Sequence, residues 1–234
     1  MLELKNINTY YGQFHAIRDV SFSIDQGDFF LVVGPNGHGK STLLKTICGL
    51  LRTTSGQIVF NSTEITRLAT DEIVEMGLVY VAEERHLFPQ MTVLDNLRLG
   101  AYNTNARTKE RETLEYVFQL FPRLGEFKNR YAATLSGGEA RMLTLGRGIM
   151  SCAKLLAIDE PSFGLAPILR TEVFDKINEI NASGMTVLLV EQNVNQVVDF
   201  SDRICLIEDG CIVFNGPREE ALDNEHVKNV FLGG

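Results

Sequence analysis

The 234-residue sequence lacks several features that would assign it to common classes of protein. No apolar run approaches the roughly 20 residues that a membrane-spanning helix needs. The N-terminus, MLELKNINTYYG, lacks the basic and then apolar pattern of a secretion signal. Positive charge is scarce, since 22 Lys and Arg stand against 30 Asp and Glu and the net charge is −8. Phosphate contacts need lysine and arginine, so we expect a cytosolic protein that binds no nucleic acid.

Cysteine is also scarce, and its spacing indicates no metal site. The four cysteines show no C-x-x-C pattern. Cys205 and Cys211 could lie near one another across a hairpin, but reduced, buried thiols are favoured in a chain without an export signal. With 44% hydrophobic residues, the composition excludes wholesale disorder. The length fits one domain with a sizeable insertion.

Strand-like and helix-like segments alternate along the chain. Two segments near the start, LELKNI and IRDVSFSID, alternate as antiparallel strands do, and continuous apolar runs such as DFFLVVG, GLVYVA and TVLLVEQ predict strands buried on both faces. Residues 88–150 are helical in pattern, with one helix predicted at TKERETLEYVFQLF. The order predicts an α/β fold with a mainly parallel sheet covered on both faces. We expect one domain, 1–234, with a core of 1–87 and 154–234 and a helical insertion of 88–153.

The segment GPNGHGKS matches the phosphate-binding pattern G-x-x-x-x-G-K-[ST] between a buried strand and a helix. Its glycines let backbone N–H groups curl around phosphate oxygens, and the positive end of the following helix points at the same anion. Lys40 is expected to reach the β- and γ-phosphates, and the Ser41 hydroxyl to ligate Mg²⁺. The predicted nucleotide-binding residues of this segment, here named the phosphate loop, are Gly34, Pro35, Asn36, Gly37, His38, Gly39, Lys40, Ser41 and Thr42.

The segment KLLAIDEP supplies the second half of such a site. An apolar strand carries Asp159 to the carboxyl edge of the sheet, where open α/β folds bind ligands. Asp159 would hold Mg²⁺ directly or through water. Glu160 would be the catalytic general base or would orient the water that attacks the γ-phosphate.

A third motif, LSGGE at residues 135–139, opens the last helix of the insertion, and Ser136 reads as its N-cap. Ser136 lies 96 residues after Lys40 and 23 residues before Asp159. This order and these intervals resemble the ATP-binding-cassette (ABC) ATPases over essentially the whole chain. The resemblance implies a RecA-like P-loop NTPase core, an antiparallel β-subdomain and an inserted helical subdomain. It also implies a head-to-tail dimer, in which the signature residues of one subunit contact the ATP of the other: Leu135, Ser136, Gly137, Gly138 and Glu139.

Further residues take roles from the same resemblance. Tyr11 matches the aromatic residue that stacks on adenine, with Tyr10 as its rival. Glu83 stands where most cassettes have a glutamine and joins Ser41 and Asp159 as a metal ligand. Gln192 stands where most have a histidine and would contact the γ-phosphate as a catalytic residue without carrying a proton charge.

Segments such as FPQMTVLDNL, SFGLAPIL and LLVEQN are similar to the ATPase subunits of bacterial high-affinity branched-chain amino acid importers, and of relatives that import urea or other amides. This implies ATP and Mg²⁺ as cofactors and a second ABC ATPase subunit, identical or paralogous, as partner. It also implies integral membrane permease subunits, whose coupling helix docks at residues 84–102, and indirectly an external solute-binding protein. The chain would lie at the cytoplasmic face of the inner membrane as a peripheral protein, soluble when isolated.

Two other interpretations remain open at this stage. One is a soluble, non-transport ABC ATPase. The other is a degenerate nucleotide-sensing subunit, suggested by Glu83, Gln192 and the bulky His38 in the phosphate loop. Ala140 and Arg141 also depart from the pair of glutamines that often follows the signature.

Overall fold

The computed structural model of the protein describes residues 1–192, 194 and 196–232. Two β-sheets organise this part of the chain, and helices cover or connect them. The strands are β1 (Leu2–Tyr11), β2 (Phe14–Ile24), β3 (Phe29–Val33), β4 (Ser55–Phe60), β5 (Thr63–Glu64), β6 (Leu78–Val81), β7 (Leu155–Asp159), β8 (Thr186–Glu191), β9 (Arg203–Glu208) and β10 (Cys211–Pro217). The α-helices are α1 (Lys40–Ile47), α2 (Thr70–Glu75), α3 (Val93–Gly100), α4 (Thr104–Leu120), α5 (Pro122–Glu126), α6 (Gly137–Met150), α7 (Pro167–Ala182), α8 (Arg218–Asp223) and α9 (Glu225–Leu232).

The larger sheet has the strand order β10-β9-β3-β8-β7-β6. Its strands from β9 to β6 are parallel, and only β10 pairs antiparallel within the described residues. Every residue of β3, β7 and β8 is buried, as expected when helices or a second sheet cover both faces. The predicted, mainly parallel sheet is confirmed.

The smaller sheet, β2-β1-β4-β5, is antiparallel and packs on one face of the larger one. The alternation of side chains along β3 divides the core in two. Phe30 and Val32 join a cluster with the smaller sheet and α1. Phe29, Leu31 and Val33 join a second cluster that includes α7 and the helical segment. The antiparallel β-subdomain is therefore continuous with the core through shared apolar contacts.

The helical segment, α3 to α6, lies between β6 and β7 in the chain. Its bounds fall within the predicted insertion 88–153, whose status as a separate subdomain stays a prediction. The start predicted for α4, at Thr108, was wrong. The helix begins at Thr104 because Asn103 caps it by accepting a hydrogen bond from the Ala106 N–H at 2.8 Å.

The cysteines are not paired. All four thiols are free, and Cys205 lies opposite Asn215 while Cys211 lies opposite Glu208. The suggested proximity of Cys205 and Cys211 was wrong, because Cys211 directly follows the tight turn of the β9–β10 hairpin. Among the described residues, no helix combines the length and the apolar character needed to cross a membrane.

Candidate nucleotide-binding site

The candidate site lies at the carboxyl edge of the larger sheet. Val33 pairs with Glu191 at the ends of β3 and β8, and Asp159 at the end of β7 pairs with Val190. Because these strands are parallel, the segments that follow them leave the sheet side by side. The phosphate loop, Glu160 and Gln192 are thus brought to one edge, as the sequence predicted.

Glycine is required at two positions of the phosphate loop. Gly34 has φ 152°, and a Cβ there would collide with the carbonyl oxygen of Ile207. Gly39 has φ 103°, and its Cβ would lie 2.9 Å from the carbonyl oxygen of Ala16 in β2. The loop is therefore wedged between the β-subdomain and the sheet, in a conformation that L side chains rarely adopt.

Helix α1 begins directly after Gly39 without a side-chain cap. Its first intrahelical hydrogen bond runs from the Leu43 N–H to the Gly39 carbonyl. The N–H groups of Lys40, Ser41 and Thr42 therefore have no helical acceptor and point out of the helix start, which suits a bound phosphate.

The Lys40 side chain is 3% exposed and lies inside the loop. Its ammonium donates to the carbonyl oxygens of Gly34 at 2.8 Å and Pro35 at 3.1 Å. It also lies 3.4 Å from Oε1 of Glu160. The predicted cation and the predicted catalytic carboxylate are thus direct neighbours.

Asp159 is buried and accepts two side-chain hydrogen bonds. The Ser41 hydroxyl donates to Oδ1 at 2.8 Å, and the Tyr80 hydroxyl donates to Oδ2 at 2.7 Å. Burial, and then the bond to Asp159, raises the pKa of Tyr80, so the phenol stays a donor. The sequence predicted Ser41 and Asp159 but missed Tyr80.

The oxygen donors at Ser41 and Asp159 fit Mg²⁺, which prefers hard oxygen ligands and keeps several positions for water or phosphate. No group of three or more His, Cys, Asp or Glu side chains in the described part of the chain could hold a metal ion by itself. The residues present therefore suit a metal that arrives with phosphate oxygens.

Glu160 adopts a left-handed backbone conformation, with φ 39°. Its N–H donates to the Val190 carbonyl at 2.9 Å, and its side chain is 12% exposed. A glutamate in this region carries a strain of about 1 kcal/mol or more. The strained turn directs the carboxylate toward Lys40 instead of into the core.

Further carboxylates surround Glu160. Burial, followed by the charges of Glu160 and Asp159, raises the pKa of Glu83. Burial also raises the pKa of Glu191, with a contribution from Glu160. The Glu191 carboxylate accepts from the N–H of Ser162 at 3.0 Å and of Gln192 at 3.1 Å, so it holds the segments after β7 and β8 together. Gln192 itself is exposed.

The two tyrosines at the end of β1 differ in their surroundings. The Tyr10 ring stacks on His15, with ring centroids 4.0 Å apart. Tyr11 pairs with Phe14 across the hairpin and is 48% exposed. Tyr11 is therefore the more accessible of the two rings.

His38 links the phosphate loop to the β9–β10 turn. Its Nδ1 accepts from the Asp209 N–H at 3.0 Å and lies 3.4 Å from the Asp209 carboxylate. The sequence marked His38 as unusual but did not identify Asp209 as its partner.

The signature segment forms the start of α6. Ser136 caps the helix, accepting from the Glu139 N–H at 3.4 Å, while Glu139 accepts from the Ser136 N–H at 2.8 Å. The Ser136 N–H lowers the pKa of Glu139, and Arg123 lowers it further. The predicted cap is confirmed. In the described structure, the hydrogen bonds and ion pairs of residues 135–139 stay within the helical segment and do not reach the phosphate loop.

Sequence reasoning assigned no role to three residues next to the predicted ones, Tyr80, Glu191 and Arg141, and marked Arg141 only as a departure after the signature. Glu191 ends an apolar strand beside Gln192, which is a signal that sequence alone could have used. Arg141 lies in an otherwise apolar stretch of α6, and this position is a weaker sequence signal.

Comparison with known proteins identifies the family of the chain. The family model described as "ABC transporter" matches residues 17–163. The high-affinity branched-chain amino acid transport ATP-binding protein BraG of Pseudomonas aeruginosa is 40% identical over 234 residues, covering 100% of both chains. A nucleotide-free ATP-binding cassette from an ABC transporter superposes with a TM-score of 0.86 at 31% identity, covering 100% of this chain and 99% of the other.

A dimeric ATP-binding cassette in a post-hydrolysis state, bound to ADP and phosphate, matches with a TM-score of 0.79 at 25% identity. This match covers 93% of this chain and 99% of the other. Family model, full-length relative and cassette structures all indicate the same family. The chain belongs to the ABC transporter family and is one of its ATP-binding cassette ATPases.

Proposed function

We propose that the chain is the ATP-hydrolysing subunit of an importer for branched-chain amino acids. The observation that carries the proposal is the convergence of Lys40, Glu160, Asp159 and Ser41, joined by contacts of 3.4 and 2.8 Å. The full-length likeness to BraG supports the choice of solute. The solute itself is selected by other subunits, so this chain supplies energy and not specificity.

ATP binds with its phosphates in the phosphate loop. The free N–H groups at the start of α1 and the Lys40 ammonium neutralise the phosphate oxygens. Lys40 exchanges its carbonyl partners, Gly34 and Pro35, for the β- and γ-phosphates. Tyr11 stacks on the adenine, because Tyr10 is already stacked on His15.

Ser41 and Asp159 would hold Mg²⁺, and Glu83 would contribute directly or through water. When bound, the ion would supply neutralisation of phosphate charge. Tyr80 fixes the Asp159 carboxylate in the orientation that this role needs.

Glu160 accepts a proton from the water that attacks the γ-phosphorus. The bond from that phosphorus to the bridging oxygen breaks, which releases ADP and inorganic phosphate. Gln192 donates a hydrogen bond to a γ-phosphate oxygen, and Glu191 positions it by holding the Gln192 N–H. Binding of ATP also separates Lys40 from Glu160, which frees the carboxylate to act as a base.

A second subunit, identical or paralogous, completes each site. The hydrogen bonds at the start of α6 in the described structure do not involve the phosphate loop of the same chain, and we infer that its N–H groups contact ATP on a partner. The dimeric cassette with ADP and phosphate supports this arrangement.

The membrane partner docks in a groove between the core and the helical segment. The groove has a volume of about 600 Å³, and its lining is mostly apolar. Exposed Phe88, Leu99 and Tyr102 line it together with Leu50 from the core. These positions agree with the predicted docking segment 84–102. A permease coupling helix with an apolar face suits such a groove.

Purification and transport assays test the proposal. We expect the chain to co-purify with polytopic membrane subunits, and the complex with its binding protein in vesicles to import leucine, isoleucine or valine when ATP is inside. Import of urea or glutamine, but of none of these three amino acids, would mean that the importer serves a different solute. Fractionation with a soluble complex only would favour the non-transport ATPase.

Steady-state hydrolysis tests the remaining alternative, the nucleotide-sensing subunit. We expect phosphate release that the Lys40→Ala substitution abolishes. Binding of ATP without release, in the presence of the permease, would favour a sensing role for a site that contains Glu83, Gln192 and His38.

A further inference from the structure

Arg141 is a buried cation in the signature helix. Its side chain is 1% exposed and belongs to the largest fully buried side chains of the described chain. The guanidinium donates to the carbonyl oxygens of Ala82 at 3.1 Å and Glu83 at 2.8 Å, directly after β6. Arg141 therefore ties α6 to the backbone on which the Glu83 carboxylate is mounted.

The partners of Arg141 are carbonyls, so its charge is not cancelled by a direct ion pair in the described structure. Its Nε has no hydrogen-bond partner among the described residues. Burying a guanidinium in this way is costly unless nearby negative charge offsets the cost. In the part of the chain that the structure describes, the negative charge comes from carboxylates that do not contact the guanidinium directly.

Carboxylates from three elements act on Arg141. Burial, and then the neighbouring Arg85, lower the pKa of Arg141, and the charges of Glu191, Glu83 and Asp159 oppose this decrease. Burial, and then the charges of Glu160 and Asp159, raise the pKa of Glu83, and Arg141 opposes this increase. Arg141 is thus the buried positive charge behind the carboxylates that surround Glu160.

This carboxylate group stands where the γ-phosphate would lie in the proposed site. The loop N–H groups serve the phosphates nearer to the loop, but the γ-phosphate must approach Asp159, Glu160 and Glu83. Glu83 adds one more negative charge at that end. Lys40, a second buried cation at this edge, lies 3.4 Å from Glu160 and serves the β- and γ-phosphates in the proposed site, so Arg141 adds to its positive charge.

We propose that Arg141 is a positioning residue that holds Glu83 in place and offsets its negative charge, so that the site accepts the γ-phosphate and prefers ATP to ADP. This inference rests on the proposed nucleotide site. A charge near the γ-phosphate acts on ATP more strongly than on ADP, whereas a purely structural side chain would affect both alike.

A double-mutant cycle tests the proposal with the variants Arg141→Gln, Glu83→Gln and the two combined. Dissociation constants for ATP and ADP are measured for each variant in EDTA. The chelator prevents hydrolysis and removes any effect of Glu83 as a metal ligand. We expect Arg141→Gln to lower the ratio of ATP to ADP affinity about tenfold and Glu83→Gln to raise it, with the pair within about threefold of the wild type. Arg141→Lys retains the charge and should retain most of the ratio.

Equal weakening of ATP and ADP by Arg141→Gln, or strictly additive effects in the pair, would overturn the proposal and leave Arg141 a packing residue. If Arg141→Gln does not fold, Glu83→Gln alone still decides, since an unchanged ratio in that variant contradicts charge compensation. Failure of the nucleotide site looks different, because the wild type would then bind neither nucleotide, or Lys40→Ala would bind both as the wild type does.

Discussion

At the scale of single residues, the pair formed by Lys40 and Glu160 explains why the site can be stable before ATP binds. Each charge lies in a largely buried position and has the other within 3.4 Å. A buried pair of this kind costs desolvation, but removal of one partner leaves an uncompensated charge. In the proposed function, ATP replaces Glu160 as the partner of Lys40, and this would couple nucleotide binding to release of the base.

Glu160→Gln keeps the size of the side chain but removes the base. We expect the rate of phosphate release to fall by about 10² to 10⁴, with ATP affinity unchanged or higher. Glu172→Gln, a substitution on α7, is the control and should keep the wild-type rate. Hydrolysis by Glu160→Gln at the wild-type rate would show that another group activates the water.

Tyr80→Phe removes only the hydroxyl that donates to Asp159. Loss of a residue that orients a metal ligand typically weakens metal affinity by about 10- to 100-fold, so the Mg²⁺ concentration for half-maximal hydrolysis should rise by an amount in that range. Tyr116→Phe removes a surface hydroxyl bonded to Ser183 at 3.2 Å and is the matched control. Equal Mg²⁺ requirements for the two variants would contradict a positioning role for Tyr80.

At the scale of elements, the start of α6 has a structural and a proposed functional role that can be separated. The capping box of Ser136 and Glu139 stabilises the helix whether or not ATP is present. Thr92 caps α3 in a comparable way, accepting from the Asp95 N–H at 3.1 Å. Thr92 has no proposed role in nucleotide binding.

Ser136→Ala and Thr92→Ala should each lower the free energy of unfolding by about 1 kcal/mol. Urea unfolding measures this effect. Only Ser136→Ala should also reduce hydrolysis strongly, because only that cap faces the nucleotide of a partner. A parallel loss of activity in both variants would mean that stability alone explains the effect.

The elements themselves were largely predictable from sequence, because strand, loop and helix signals lie next to one another in the phosphate loop and at Asp159. The side-chain network was not. Arg141 and Ala82 are 59 residues apart and Tyr80 and Asp159 are 79 apart. The first contact depends on how α6 packs beside β6, and the second on how β6 pairs with β7. The wrong prediction that Cys205 and Cys211 lie near one another had a local cause. The two-residue turn of the β9–β10 hairpin sets a register in which the two cysteines are not opposite each other.

At the scale of the whole molecule, the sheet edge, the signature helix and the apolar groove are three surfaces with three proposed partners. In the proposed function, nucleotide binds at the first, a second subunit meets the second and the permease occupies the third. Helix α6 joins all three, since it begins at the signature, contributes Arg141 beside the sheet edge and lines the groove with Arg147. Movement of this helix would therefore couple the sites.

Phe88→Ser combined with Leu99→Ser makes the groove polar without touching the nucleotide site. We expect loss of co-purification with the permease, while the isolated subunit binds ATP with wild-type affinity. Val213→Ser changes an exposed apolar residue of β10 outside the groove and serves as the control. Retained co-purification of the groove variant would move the docking surface elsewhere.

The central claim is that ATP held by one subunit is enclosed by Ser136 and its neighbours from another. The most direct test is the mass of Glu160→Gln in solution with and without ATP, compared with the double variant that also carries Ser136→Ala. The account predicts an ATP-dependent dimer with two ATP for Glu160→Gln, and ATP-bound monomers for the double variant. A dimer that forms equally well without ATP, or that persists unchanged after Ser136→Ala, would contradict it.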